Sequence, residues 1–302
     1  MLNGCKAIAT NSDLKNLNSV TNEKSLVMVG YQPIDPIQIV IDGDTNHINT
    51  SELLASFPNE ATRLAIGEVN QKGSISFRPF SYAKAGKSYS IILDYIKYTT
   101  SNLPALYKEF RSNKTYGDSS ILIIQQLIKT NFGEVAGAST EYLGKSTSSL
   151  PGDEQNITNN IKLPVYVGIG LRIQASITVL SDSVNLSSLF GIGLAASQNK
   201  LNGSLIIQTL GITGENISPL MPMPNEINES TIQAAMQAVA TIKSKIYDAS
   251  KTIISPQIVA FKIPFAIEGA NNLIEATLQT NPPKIVVEKG KIEIIPPASL
   301  KE

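Results

Sequence analysis

Between residues 165 and 179 every second side chain is apolar: Val165, Val167, Ile169, Leu171, Ile173, Ala175, Ile177 and Val179. Tyr166, Gly168, Gly170, Arg172, Gln174, Ser176 and Thr178 fall between them. An unbroken period of two predicts a long strand with one dry face and one polar face, in an antiparallel or mixed sheet. Gly168 and Gly170 leave part of the polar face bare, marking a bend or the close approach of another element.

A different period appears at Ile232, Ala235, Met236, Val239, Ile242 and Ile246. Spacings of three and four predict a helix over 231–248, with Ser230 and Gln233 at capping-box spacing. Residues 184–200 read as a second helix, weakened by Gly191 and Gly193. Strands are predicted over 204–212 and 257–267, and a hairpin over 284–288 and 291–295 around Lys289-Gly290.

Earlier in the chain, strands are expected over 26–31, 37–41, 73–80 and 88–99. A short helix begins near Thr50 and ends at Pro58. Residues 103–113 read as a helix with Pro104 near its first position and Leu106, Tyr107 and Phe110 on one face. Residues 120–131 read as a buried helix on the stripe Ile121, Ile124, Leu127 and Ile128. Residues 133–161, rich in Gly, Ser and Thr, read as a loop or linker. The expected organisation is a tether over 1–24, a β-rich region with two helices over 25–132, the 133–161 connection, and an α+β region over 162–302. The fold class expected is α+β: a mostly antiparallel sheet with helices packed on one face.

Composition narrows the chemistry. The 302 residues carry 25 Lys+Arg against 25 Asp+Glu, so no nucleic-acid footprint is expected. His47 and Cys5 are the only residues of their kinds. One chain therefore cannot assemble a Cys/His zinc site or an internal disulfide.

The chain opens Met1-Leu2-Asn3-Gly4-Cys5. Apolar Leu2 and small Gly4 ahead of Cys5 resemble the lipobox of bacterial lipoproteins, with Asn3 where that pattern favours a small residue. The resemblance covers these five residues. It implies lipidation of Cys5, a membrane anchor built from its acyl chains, and an extracytoplasmic location. Lys6 in place of Asp after the cysteine implies outer-membrane sorting. Residues 6–24, rich in Asn, Ser, Thr and Lys, read as the tether to a folded body.

Other candidates are weaker. Asp42, Asp44 and Asn46 alternate like the start of a calcium loop, but His47 stands where such a loop needs glycine. His47 itself reads as a turn residue. Asp94, Glu109, Glu134, Glu141, Asp153 and Glu154 are the carboxylates from which a glycosidase-type pair would be drawn. Ala85-Gly86-Lys87-Ser88 leads into a strand rather than a helix, and Gly168-Ile169-Gly170 lies inside one, so neither is a phosphate-binding loop. No catalytic residue and no cofactor are expected. The function expected is a non-enzymatic extracytoplasmic lipoprotein that binds or scaffolds a protein or envelope component. The alternatives are a carboxylate-dependent hydrolase or a toxin-like protein inserting a hairpin into a membrane.

Overall fold

The computed structural model describes residues 29–43, 50–71, 73, 75–77, 82–116, 119–136, 140–145, 155–181, 184–186, 200–215, 217–220, 225–246, 251–263, 270–288 and 291–298. Its strands in chain order are β1 (Val29–Gln38), β2 (Val40–Gly43), β3 (Asn59–Val69), β4 (Ile75–Phe77), β5 (Tyr82–Ala83), β6 (Ser88–Tyr116), β7 (Ser119–Thr130), β8 (Gly133–Ala136) and β9 (Thr140–Lys145). Then come β10 (Gln155–Val179), β11 (Val184–Asn185), β12 (Leu201–Leu210), β13 (Ile212–Thr213), β14 (Asn225–Glu226), β15 (Ile253–Ile254), β16 (Gln257–Ile263), β17 (Lys284–Glu288) and β18 (Lys291–Ile295). The α-helices among the described residues are α1 (Thr50–Ala55), α2 (Glu229–Lys245) and α3 (Ala270–Thr280).

Two long strands organise the sheet. β10 pairs antiparallel with β6 from Gln155↔Arg111 to Thr178↔Ser88. On its other side β6 is held by β3 up to Tyr98 and by β7 from Leu106 onward. Pro104 sits in the gap between these partners, where its missing N–H removes no bond to a neighbour on that side. β10 is joined on its far side by β16 over Val165–Gly168 and by β12 over Gly170–Val179. One half of the strand pair thus belongs to a body. The other half, with β7, β8 and β9, forms an arm.

The odd-numbered face of the pair carries two apolar stretches, separated on β6 by Lys97, Thr99 and Ser101. At one end Tyr89, Ile91, Leu93, Ile169, Leu171, Ile173 and Ile177 pack beneath Ile232, Ala235, Val239 and Ile242 of α2. At the other, Leu103, Ala105, Tyr107, Leu163 and Val165 pack beneath Ala270, Ile274 and Leu278 of α3 and against Ile285 of β17. Each large side chain so buried contributes about 1.5–3 kcal/mol.

The even face differs from the expectation of a polar surface. Tyr166, Gly168, Gly170 and Arg172 are all buried, and exposure begins only further along, at Ser176. The reason is that β1, paired to β16 at the sheet margin, curls back over this face. Tyr31 packs edge-on to Tyr166 at 5.2 Å between ring centroids. The glycines are needed here. A β-carbon on Gly168 or Gly170 would lie 2.1 Å from the carbonyl oxygen of Lys97 or Tyr95.

The α+β expectation is corrected. The chain is mostly β, built on a large antiparallel sheet with few helices. Residues 103–113 and 120–131, expected as helices, are the outer part of β6 and most of β7. In β6 the buried set is Leu103, Ala105, Tyr107 and Glu109, a period of two. In β7 buried Ile124 and Ile128 are four apart, a spacing that satisfies both periods. The excess of isoleucine there favours a strand. Residues 133–161 contain β8, β9 and the start of β10 where they are described. Of the expected helix 184–200, the described part begins with the short strand β11, paired to β5. The sequence reading does not identify β3 or α3.

Candidate functional site

The sequence candidates do not converge. Cys5, Asp44, Asn46, His47, Asp153 and Glu154 lie outside the described residues. Asp42 lies in β2, opposite Val286 of β17. Among the described residues no three His, Cys, Asp or Glu side chains gather to hold a metal. Asp94 and Glu109 are fifteen positions apart on one strand, on opposite faces. At about 3.3 Å per residue they stand roughly 50 Å apart, against about 5–10 Å for a glycosidase pair. Glu134 is exposed on β8, opposite Lys129 of β7, and Glu141 lies in β9.

Asp94 is instead half of a buried ion pair. Arg172 stands directly opposite it in the β6–β10 register. Its Nε and Nη2 donate to the two carboxylate oxygens, each at 2.8 Å. Tyr31 donates its hydroxyl to Asp94 Oδ2 at 2.6 Å. Arg172 Nη1 also donates to the Ile34 carbonyl at 2.7 Å, and Nη2 to the Val259 carbonyl at 3.0 Å. Ile34 lies where the β1–β16 register shifts, and Val259 where the β10–β16 register shifts. Such irregularities free backbone groups from the ladder, and the guanidinium takes up both carbonyls. Burial opposes the Arg172 charge, but the hydrogen bonds and charge of Asp94 outweigh it, so the group is held firmly protonated. Burial, then the Asp94 charge, pushes the Tyr31 phenol well up. Side-chain exposure of the pair is 2% and 0%, so no solute can reach it. Its chemistry is structural.

A second network lies on the odd face of the arm. Tyr107 donates to Glu109 Oε2 at 2.6 Å, and Arg111 Nε donates to the other carboxylate oxygen. Burial, then hydrogen bonding to Glu109, pushes the Tyr107 phenol up. This ladder at every second position of one strand again satisfies its own members.

The described residues also form an open cleft of about 280 Å³ between the C-terminal end of α2 and the sheet. Strand register builds its floor. Glu60, Lys97 and Ile169 form one row across β3, β6 and β10, and Thr62, Tyr95 and Leu171 form the next. Lys243 and Ile246 close it from above, and the Gly170 backbone also lines it. Lys243 pairs with Glu60. Tyr95 donates its hydroxyl to the Met236 sulfur at 3.7 Å, and burial pushes its phenol up. The site thus combines one carboxylate, two ammonium groups and a phenol, above Ile169 and Leu171, which are themselves closed to solvent. Its residues come from β3, β6, β10 and α2, which are distant in sequence. The legible parts were the β10 alternation and the α2 stripe; β3, which supplies Glu60 and Thr62, carries the pattern Thr62, Leu64, Ile66 that would have revealed a strand.

Compared with known proteins, the chain matches no family model, no curated protein and no solved structure.

Proposed function

We propose that the protein is an extracytoplasmic lipoprotein, tethered through Cys5, that acts as a binding module for a component of the cell envelope. The tether rests on the lipobox-like Leu2-Asn3-Gly4-Cys5 and the polar stretch that follows. The observation that supports binding is the cleft lined by Glu60, Thr62, Tyr95, Lys97 and Lys243. A concavity in which a few placed polar groups converge is a usual form of small-ligand site.

Two measurements test the two halves. Mass spectrometry of the N-terminal peptide, from cells making the protein with its native upstream sequence, is expected to find an acylated Cys5 in the membrane fraction. An unmodified Cys5 in the cytosol would overturn the anchoring. A photo-crosslinking side chain placed at exposed Thr62 on the cleft rim is expected to capture an envelope component in intact cells. Capture no greater than from an equivalent probe at exposed Lys129 on the arm would overturn the binding role.

A further inference from the structure

We infer that the protein holds one small oxyanion, a carboxylate or phosphate group, at Arg63 on the face of the sheet opposite the cleft. This site is separate from the cleft and does not depend on the binding reading above.

Arg63, Asp94 and Arg172 form one row across β3, β6 and β10. Two guanidinium groups thus share a row with one carboxylate. Arg172 fills its Nε and Nη2 with the two oxygens of Asp94, and Tyr31 donates to Oδ2 as well. With Asp94 so committed, the Arg63 side chain turns along the sheet, and its Nη2 donates to the Tyr98 hydroxyl at 3.3 Å. The Nε beside it is buried and donates to nothing. The Nε–Nη2 edge that grips a carboxylate in Arg172 is therefore held in Arg63 by one long bond to a neutral group. A buried donor without an acceptor is costly, most of all on a charged group, and its usual resolution is an ordered water or an ion.

Two phenols add donors at the same place. Tyr98 accepts from Arg63, and its own proton has no acceptor among the described residues. Tyr166 packs against Tyr98 with ring centroids 5.0 Å apart, and its hydroxyl has no partner among the described residues. Burial raises the Tyr166 phenol and the Arg63 charge pulls it back down, so the guanidinium lies near that hydroxyl, which keeps its proton at neutral pH. The cluster holds a cation and two hydroxyl protons, and its one carboxylate is already taken. A planar fork with hydroxyl donors beside it fits the oxygens of a carboxylate or a phosphate. Binding requires the Nε edge to turn outward. Arg63 is half-buried, and the single bond to Tyr98 is what holds it in place.

Carboxylate and phosphate share this chemistry, and the experiment separates them. Acetate and inorganic phosphate are titrated separately into the full-length chain, with ionic strength held constant by chloride. Backbone amides and arginine Nε–H resonances are followed by NMR. At least one anion is expected to saturate one to one, shifting the Arg63 Nε–H and the amides of Arg63, Tyr98 and Tyr166. The tighter of the two names the group. Tyr166→Phe keeps the ring packing and is expected to weaken binding roughly tenfold, by removing one hydrogen bond to a charged group. Arg63→Gln is expected to abolish the shifts at Tyr98 and Tyr166 in a chain that still melts cooperatively; should it fail to fold, Tyr166→Phe decides. Binding unaltered by Tyr166→Phe would overturn the site. So would an unmoved Arg63 Nε–H, or equal shifts at exposed Lys129 and Lys162, which would mean diffuse attraction only. Phosphatidylglycerol vesicles shifting these resonances where neither free anion does would overturn the small oxyanion in favour of a lipid head group.

Discussion

At the scale of single residues, the molecule depends on charges it has removed from water. Asp94 and Arg172 neutralise each other, and Arg172 also holds two backbone carbonyls that the sheet has let go. Removing one partner of a buried pair leaves the other uncompensated, at a cost of about 3–5 kcal/mol. Asp94→Asn is expected to lower unfolding free energy by that order in a urea titration. The joint change Asp94→Leu with Arg172→Met is expected to cost less than the two single losses added together. A second expectation concerns Glu275 of α3, whose carboxyl is raised by burial and by the nearby Asp35 charge, against an Asp35 backbone N–H that lowers it. A raised carboxyl means the folded chain keeps a proton that the unfolded chain has released. Stability from this group is complete below about pH 4 and is lost as pH rises through the folded value. Glu275→Gln is therefore expected to raise the melting temperature at pH 7 and to flatten its dependence on pH above 4. Neither role was legible in the sequence. Arg172 lies in the polar half of a clean alternation, and the strand that buries it, β1, is far away in the chain.

Elements show where periodicity decides and where it does not. The stripe Ile232, Ala235, Val239, Ile242 admits only a helix, and α2 forms over 229–245 against an expected 231–248. Its start differs from the expected Ser230–Gln233 box. Asn228 is the N-cap, accepting from the Thr231 N–H at 2.9 Å, while Thr231 Oγ1 accepts from the Asn228 N–H at 3.0 Å. Asn228→Ala is expected to cost about 1 kcal/mol by chemical denaturation, whereas Ser230→Ala should change little. Residues 103–131 were misread because local patterns there fit two periods. Pairing settled the choice, of β6 with β10 and of β7 with β6, and pairing is a property that spacing within a segment does not contain. The strand pair β17–β18 lay at the other extreme: its bounds agree with the sequence reading, since the two strands are close neighbours in sequence.

For the whole molecule, the topology makes assembly wait. β1, near the start of the described chain, pairs with β16 near its end, and β10 needs partners from both sides of it in sequence. Sheets built on such non-local pairs fold slowly, because long loops must close before contacts reward them. Refolding in stopped flow is expected over milliseconds to seconds, with no dominant microsecond phase. The candidate cleft shares this dependence, since β3, β6, β10 and α2 must all be placed before it exists. That is why its parts were visible in the sequence singly while the site was not. The expected boundary at 161 likewise falls within β10, which runs through it without interruption.

β10 also carries two environments along one strand. From Val165 to Ile173 it has neighbours on both sides and cover on both faces; from Gln155 to Pro164, among the described residues, only β6 is paired with it. In heavy water this becomes a difference of clocks. Backbone deuteration should be slowest at residues 165–173, approaching the rate set by global unfolding, and far faster at residues 157–162, where local opening suffices. Uniform exchange along the strand would mean that the arm and the body open as one unit.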